Sequence, residues 1–282
     1  MSDPDWRKLN RANWDERVPI HLAAPIYDPV PLRAGLAKMN AIEEAELGPI
    51  NGLRLLHLQC HFGRDTLILA QRGATVVGLD FSPPAIVAAR ALAGQLGLAD
   101  RARFVEADLY DAPHAIPEPG SFDRVYVTWG ALCWLPDIAE WARIVAYFLK
   151  PGGSLYLAEG HPAALVLDDA VPLPNGLPGF FVPYFHSDPL VLDDARDYAD
   201  LNARLANART CEWIHPLGAV VTALISAGLR LDWLHEHDAI TWRMFMCLTE
   251  GSDGLYRWPD TPWLPLAYSL WATRPDPGIN TA

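Results

Sequence analysis

The sequence predicts an α/β fold built on a mostly parallel sheet. Short apolar runs of strand length alternate with helical stretches from residue 54 to residue 158, the pattern of βαβ units. Glycine, proline and helix-capping residues fall at the junctions between these runs. The composition, 51% apolar and 20% charged over 282 residues, belongs to a globular chain. A chain of this length buries roughly three quarters of its surface on folding, with no need of disulfides or metals.

Residues 1–50 are polar and aromatic at first (Trp6, Trp14, Tyr27), then helical in character. Pro25, Pro29 and Pro31 interrupt the middle, so two short helices around a turn are expected, forming an N-terminal helical cap. Residues 51–282 form the main domain. Residues 54–58, Arg-Leu-Leu-His-Leu, read as a buried strand, with a helix over 65–71 beyond Gly63. A second strand, 74–80, ends on Asp80. The helix over 82–96 has Ser82 at its N-cap and Pro83 at its first position. Strands over 103–108 and 122–128 follow. A helix over 138–149 is stopped by Lys150-Pro151-Gly152-Gly153, and a fifth strand covers 154–158. Residues 160–212 break the rhythm. They are rich in Pro, Gly, Asp and aromatics, and are expected to be a lid or substrate insert. A helix over 217–227, closed by Gly228, and strands over 229–236 and 266–273 complete the chain.

Acidic residues outnumber basic ones 34 to 22, a net charge of −12, and no Lys/Arg cluster is present. That balance argues against nucleic acid or an anionic membrane surface as a partner. Cys60, Cys133, Cys211 and Cys247 are widely spaced with no C-x-x-C pair, as expected of reduced thiols in a cytoplasmic protein. The opening Met1 to Trp6 lacks a basic region and an apolar core, so no secretory signal is read, and no apolar run is long enough to cross a bilayer. His57/His61 and His235/His237 are the closest histidine pairs. Without thiol partners or an H-E-x-x-H helix, no metal site is expected.

In a parallel sheet, ligands sit at the carboxyl ends of the strands. The first such turn reads Leu58-Gln59-Cys60-His61-Phe62-Gly63. A dinucleotide fold would place G-x-G-x-x-G here, and a P-loop would add a lysine; neither is present. A nicotinamide oxidoreductase is disfavoured by Gln59 and His61. A ligand without phosphate, such as S-adenosylmethionine, asks less of this turn. Asp80 stands where a carboxylate accepts from a ribose diol, 23 residues beyond His57. Asp108 stands where an adenine amino group could donate. Thr128-Trp129-Gly130-Ala131 follows the fourth strand and could flank a nucleoside.

This order of elements resembles a class I S-adenosylmethionine-dependent methyltransferase over residues 50–160, and the two last strands fit that fold's antiparallel finish. The resemblance implies a Rossmann-like, mostly parallel seven-stranded sheet with an antiparallel last strand and helices on both faces. The family's usual D-x-G-x-G-x-G appears as His57-x-Gln59-x-His61-x-Gly63. The H-L-Q-C-H-F-G version resembles a bacterial subgroup, as do Asn13-Trp14-Asp15, His215-Pro216-Leu217-Gly218 and Leu234-His235-Glu236-His237-Asp238. Because Gln59 and His61 carry Cβ atoms, a slightly different loop path is expected under the cofactor.

The resemblance implies methyl transfer from S-adenosylmethionine, with S-adenosylhomocysteine as product, to a small-molecule acceptor. Cofactor contacts are expected from Gln59, Cys60, His61, Gly63, Asp80, Phe81, Asp108, Leu109, Thr128, Trp129 and Gly130. Arg17, facing the methionine carboxylate, and Tyr27 join them from the cap. Trp14, His21, Glu159, Tyr184 and Phe185 are candidate substrate contacts. His161, then His215, are candidate bases for an O–H or N–H acceptor. A thiolate or tertiary amine would need no base. The alternative is a cofactor-binding module on the same fold that does not transfer methyl groups. Either a monomer or a homodimer is compatible with the sequence.

Overall fold

The first helix breaks with its expected length. In the computed structural model, which describes residues 5–276 and residue 278, α1 (Trp6–Ala23) is one helix of 18 residues. The leader reading rests partly on Met1 to Pro4, which lie outside the described residues. Asp5 caps α1 by accepting from the Lys8 amide, and the helix passes through Pro19 before a 3-10 turn begins at Pro25. Pro19 removes one backbone bond without ending the helix. What holds α1 is its buried face of Asn10, Asn13, Val18 and His21. The helices α2 (Pro29–Arg33) and α3 (Ala41–Glu46) lead into the sheet.

The alternating region follows the expected order: β1 (Arg54–Leu58), α4 (Arg64–Gln71), β2 (Thr75–Asp80), α5 (Pro83–Gln95), β3 (Ala102–Glu106), α6 (Ala112–Ala115), β4 (Phe122–Thr128), α7 (Ile138–Phe148) and β5 (Leu149–Gly160). Ser82 accepts from the Ala85 amide with Pro83 at the first position of α5, as its sequence indicates.

The segment expected to be irregular is ordered into α8 (Pro162–Leu165) and two hairpins, β6 (Leu167–Pro172) with β7 (Pro178–Phe180) and β8 (Leu190–Asp193) with β9 (Arg209–Glu212). Their strands are three to six residues of mixed polarity, too short for alternation to stand out. After α9 (Leu217–Ser226) and β10 (Arg230–His237), a small sheet of β11 (Ala239–Ile240), β12 (Thr249–Glu250) and β13 (Tyr256–Arg257) precedes β14 (Ala267–Thr273).

The main sheet has seven strands in the order β10-β14-β5-β4-β1-β2-β3. β1 pairs in parallel with both β2 and β4, whereas β14 runs antiparallel to β5 and β10. This is the Rossmann-like arrangement with an antiparallel last strand. One face is packed by α7 and α9 through Trp141, Phe148 and Leu224; the other by α4 and α5 through Leu67, Ile68 and Ile86. Each such side chain contributes about 1.5–3 kcal/mol on burial. The chain order reverses between β1 and β4, so a crevice opens beyond their carboxyl ends. Among the described residues, no helix is long and apolar enough to cross a membrane.

Candidate functional site

Among the described residues, three with side chains adopt left-handed backbone, and all lie where the chain leaves β1 or β4: Gln59 (φ 56°), His61 (φ 50°) and Trp129 (φ 52°). Each costs about 1–3 kcal/mol and persists only where its surroundings over-determine it. Hydrogen bonds do so here. Gln59 Nε2 donates to the Ala131 carbonyl at 2.8 Å, the His61 amide to Asp80 Oδ2 at 2.8 Å, and the Trp129 amide to the Ala158 carbonyl at 2.9 Å. The β1 loop thus keeps the glycine-like path and places side chains on it, where a different path was expected. Gln59 Oε1 is buried there and has no hydrogen-bond partner among the described residues.

Asp80 ends β2 in a buried position. Its Oδ1 accepts from the Ser82 amide at 3.0 Å while Oδ2 takes His61. Burial pushes the carboxyl up to about 6, against the pull of those amides. A carboxylate offers about four lone-pair sites, and the Phe81 amide also lies against this one, so at least one remains. Asp108 caps a 3-10 turn by accepting from the Tyr110 amide at 2.9 Å, and its other oxygen meets Arg7 Nε at 3.1 Å.

Helix α1 lies across this end of the sheet. Asp15 accepts from the Ser82 hydroxyl at 2.6 Å, and the Arg11 guanidinium sits 5.9 Å from the Phe81 ring. Deeper in, His61 Nε2 and His21 Nδ1 are 2.9 Å apart, and His21 Nε2 is 3.0 Å from Asp197 Oδ2. Arg17 reaches the same Asp197 oxygen at 2.9 Å. Asp197 Oδ1 accepts from the amides of Ala199 and Asp200. Although burial opposes it, these partners, His21 foremost, hold the Asp197 carboxyl down at about 2. Trp14, Tyr27 and Phe62 pack their rings against His61.

Comparison with known proteins agrees with this geometry. Residues 55–153 match the family model described as a methyltransferase domain. The protein-L-isoaspartate O-methyltransferase of Anaeromyxobacter dehalogenans is 32% identical over 199 residues, a match covering 65% of this chain and 88% of that one. The chain belongs to the class I S-adenosylmethionine-dependent methyltransferases. Other matches are partial. The 23S rRNA (uracil(1939)-C(5))-methyltransferase RlmD of Nitrosospira multiformis is 33% identical over 44% of this chain, which spans only 28% of its length. The methyltransferase GfsG of Streptomyces halstedii is 35% identical, and the match spans 38% of each chain. A solved S-adenosylmethionine dependent methyltransferase from Mesorhizobium loti superposes with a TM-score of 0.57 at 22% identity, covering 83% of this chain and 96% of that one.

Several residues expected in this methyltransferase's site are engaged elsewhere. Cys60 and Leu109 turn into the core, leaving only their main chain for a ligand. Gly63 (φ 77°) is bare for packing, since a Cβ there would stand 2.5 Å from Phe104 Cε1. Arg17 binds Asp197 and Asn13, in place of the free cation expected for a methionine carboxylate. Tyr27 hydrogen-bonds Tyr198 at 2.7 Å, and burial pushes its phenol up to about 12. The Trp129 indole donates to Glu43 and packs against Trp242, so it does not lie free to stack on a nucleoside. Thr128 is buried beside it, and Gly130 (φ 72°) borders open space.

The substrate and base assignments change most. Glu159 is buried in β5, where it accepts from the amides of Gly130, Ala131 and Leu132 at 2.6–2.8 Å and so anchors the loop after β4. The Tyr184 hydroxyl accepts from the Leu217 amide at the start of α9, and Phe185 is 81% exposed. His21 is fully buried behind His61, which bars direct substrate contact. His161 caps α8 through Nδ1, with Nε2 3.1 Å from Glu236. His215 Nε2 donates to the Leu135 carbonyl at 2.7 Å. His215 is thus tied through Nε2, and His161 has its Nδ1 lone pair taken by the Ala163 amide. Asp197 and Tyr198 were not singled out in the sequence, because nothing in the run 193–200 ties its acids to a histidine 176 positions away. Among the described residues, no group of three metal-ligating side chains is gathered.

Proposed function

We propose that the protein transfers a methyl group from S-adenosylmethionine to a small-molecule acceptor held between the β1 and β4 loops, under α1 and the 160–212 insert. On this reading it is one of the bacterial subgroup whose first motif reads H-L-Q-C-H-F-G, residues 1–50 act as its cap and the insert as its lid. The observation that carries the proposal is the convergence of three strained residues, a buried unpartnered Gln59 oxygen and the Asp80 carboxylate at one sheet edge. Strain and orphaned polar atoms of this kind gather at ligand sites.

These residues fit the cofactor. Asp80 keeps lone-pair capacity for a ribose hydroxyl, Gln59 Oε1 can accept a donor, and Asp108 can take an adenine amino group once Arg7 moves aside. Bound there, S-adenosylmethionine supplies an already electrophilic methyl carbon. The protein's own work is to align the acceptor with the methyl–sulfur bond and to exclude water. The ring wall of Trp14, Tyr27, Phe62 and His61 serves the second purpose. A small acceptor agrees with the net charge of −12, which offers little to a polyphosphate.

Calorimetric titration with S-adenosylhomocysteine, with NAD as control, tests the proposal. Micromolar binding of the first alone is expected. Asp80→Asn keeps the shape but removes the charge, and hydrogen bonds to a charged group contribute about 1.5–3 kcal/mol. Affinity should therefore fall by roughly 10- to 150-fold. A folded wild-type protein that binds no S-adenosylhomocysteine would overturn the reading.

A further inference from the structure

We infer that Asp197, His21 and His61 form a proton relay in which His61 Nδ1 takes the proton of a protic acceptor, an O–H or N–H group, as the methyl group is transferred. This rests on the methyl-transfer reading above and narrows its substrate class. A thiolate or tertiary amine would leave the relay without a task.

The proton positions follow from the chain of contacts. Asp197 is ionised and can only accept, so the hydrogen on its bond to His21 sits on Nε2. In the relay Arg17 balances the Asp197 charge at rest, and His21 is neutral until a proton is passed to it. With His21 neutral, its Nδ1 is a bare acceptor, so His61 Nε2 must donate across the 2.9 Å contact. His61 Nδ1 then carries a free lone pair. It has no hydrogen-bond partner among the described residues. The ring belongs to the loop at the switch point between β1 and β4, where a ligand of this fold lies.

Other groups around the two rings support a neutral His61. Arg17 and His21 face it from α1, Asp197 and Tyr198 from the insert, and Tyr27 from the 3-10 turn, while Asp80 holds its main-chain amide. Burial foremost, with the Arg17 charge adding to it, holds its ring well below the usual histidine range, while Asp197 pulls the other way. That direction favours the unprotonated ring that a base needs at rest.

The step balances. The acceptor atom forms a bond to the methyl carbon and gives its proton to His61 Nδ1. The carbon–sulfur pair leaves on sulfur, so S-adenosylhomocysteine departs as a neutral thioether and the positive charge ends on imidazole. Passing the Nε2 proton from His61 to His21 brings that charge against Asp197, which stabilises it. His61 is the catalytic residue; His21 and Asp197 are positioning residues.

Nitrogen NMR of the histidine-labelled protein, saturated with S-adenosylhomocysteine, reads the tautomers directly. Both rings should be Nε2–H in the wild type. In Asp197→Asn the side-chain amide donates to His21 Nε2, so both rings should turn over to Nδ1–H, as loss of the carboxylate does in a catalytic triad. If that variant does not fold, His21→Phe keeps a ring against Tyr27 and severs the chain, and His61 should then show mixed tautomers. A wild-type His61 carrying its hydrogen on Nδ1, or a His61 tautomer unmoved by either variant, overturns the relay. Calorimetry on the same samples separates the two readings: absent binding refutes methyl transfer, and intact binding with the wrong tautomer refutes the relay alone.

Discussion

Replacing Glu159 should cost stability. As a substrate contact, its removal would lower activity and leave the fold untouched. As the acceptor for the Gly130, Ala131 and Leu132 amides, its removal strands three donors. Ala131 and Leu132 are buried, so water cannot replace the lost bonds there, while Gly130 is only partly covered. A buried unsatisfied donor costs about 1–3 kcal/mol, which sets roughly 2–6 kcal/mol for the two buried amides. Burial raises the Glu159 carboxyl above its usual range, so removing the charge also relieves some desolvation, and Glu159→Ala should fall near the middle, about 3–4 kcal/mol. Glu159→Gln keeps one oxygen for the two buried amides and turns its amide toward Gly130, so a loss of about 1–2 kcal/mol is expected. Domains are typically stable by about 5–15 kcal/mol, so both losses are measurable by urea unfolding. An alanine variant within about 0.5 kcal/mol of the wild type would refute the anchoring role.

Further outcomes can be checked in the same way. Gly63→Ala forces a side chain into left-handed backbone and against Phe104, and should cost about 2–5 kcal/mol in urea unfolding. His57 is buried against Thr66 and Tyr126, and desolvation pushes it down to about 3. The unfolded chain therefore takes up a proton below about pH 6.5 that the folded chain refuses until about pH 3. The stability this group contributes is present above pH 6.5 and is lost as pH falls. The gap between wild type and His57→Asn should shift against the wild type by about 1.4 kcal/mol per pH unit below 6.5; a gap independent of pH would contradict it.

The sheet was legible because its strands and helices are written in apolar periodicity and punctuated by Ser82-Pro83, Gly63 and Lys150-Pro151-Gly152-Gly153. The end of β2 on Asp80 was legible because the apolar run stops at that acid. The cap was not. Asn10, Asn13, Arg17 and His21 recur at helical spacing, but the face is polar, so a search for apolar stripes passes over it. It docks because Asn10 exchanges two hydrogen bonds with the Cys211 main chain and Asn13 donates to the Asn207 carbonyl. Those partners lie about 200 residues away, in and just before β9, a strand too short to stand out. His161 and Glu159 misled for a related reason. Position after a strand says that a side chain reaches the ligand edge, but not whether backbone groups have already claimed it.

The departure from the usual first motif gains a physical reason from these contacts. Glycine at 59 and 61 would hold the same left-handed turns without strain, yet the chain places Gln and His there and accepts a cost of about 1–3 kcal/mol at each. Each side chain ties the β1 loop to a different neighbour. Gln59 reaches the Ala131 carbonyl and so couples the loop to β4, while His61 reaches His21 and, through it, Asp197. Cap, first-motif loop and insert therefore meet in one buried chain of polar contacts. Buried polar groups are costly unless every member is satisfied, so this chain is favourable only when α1 and the insert are both docked. The two substituted positions give the β1 loop side-chain contacts to the chain after β4 and to α1 that glycines could not make.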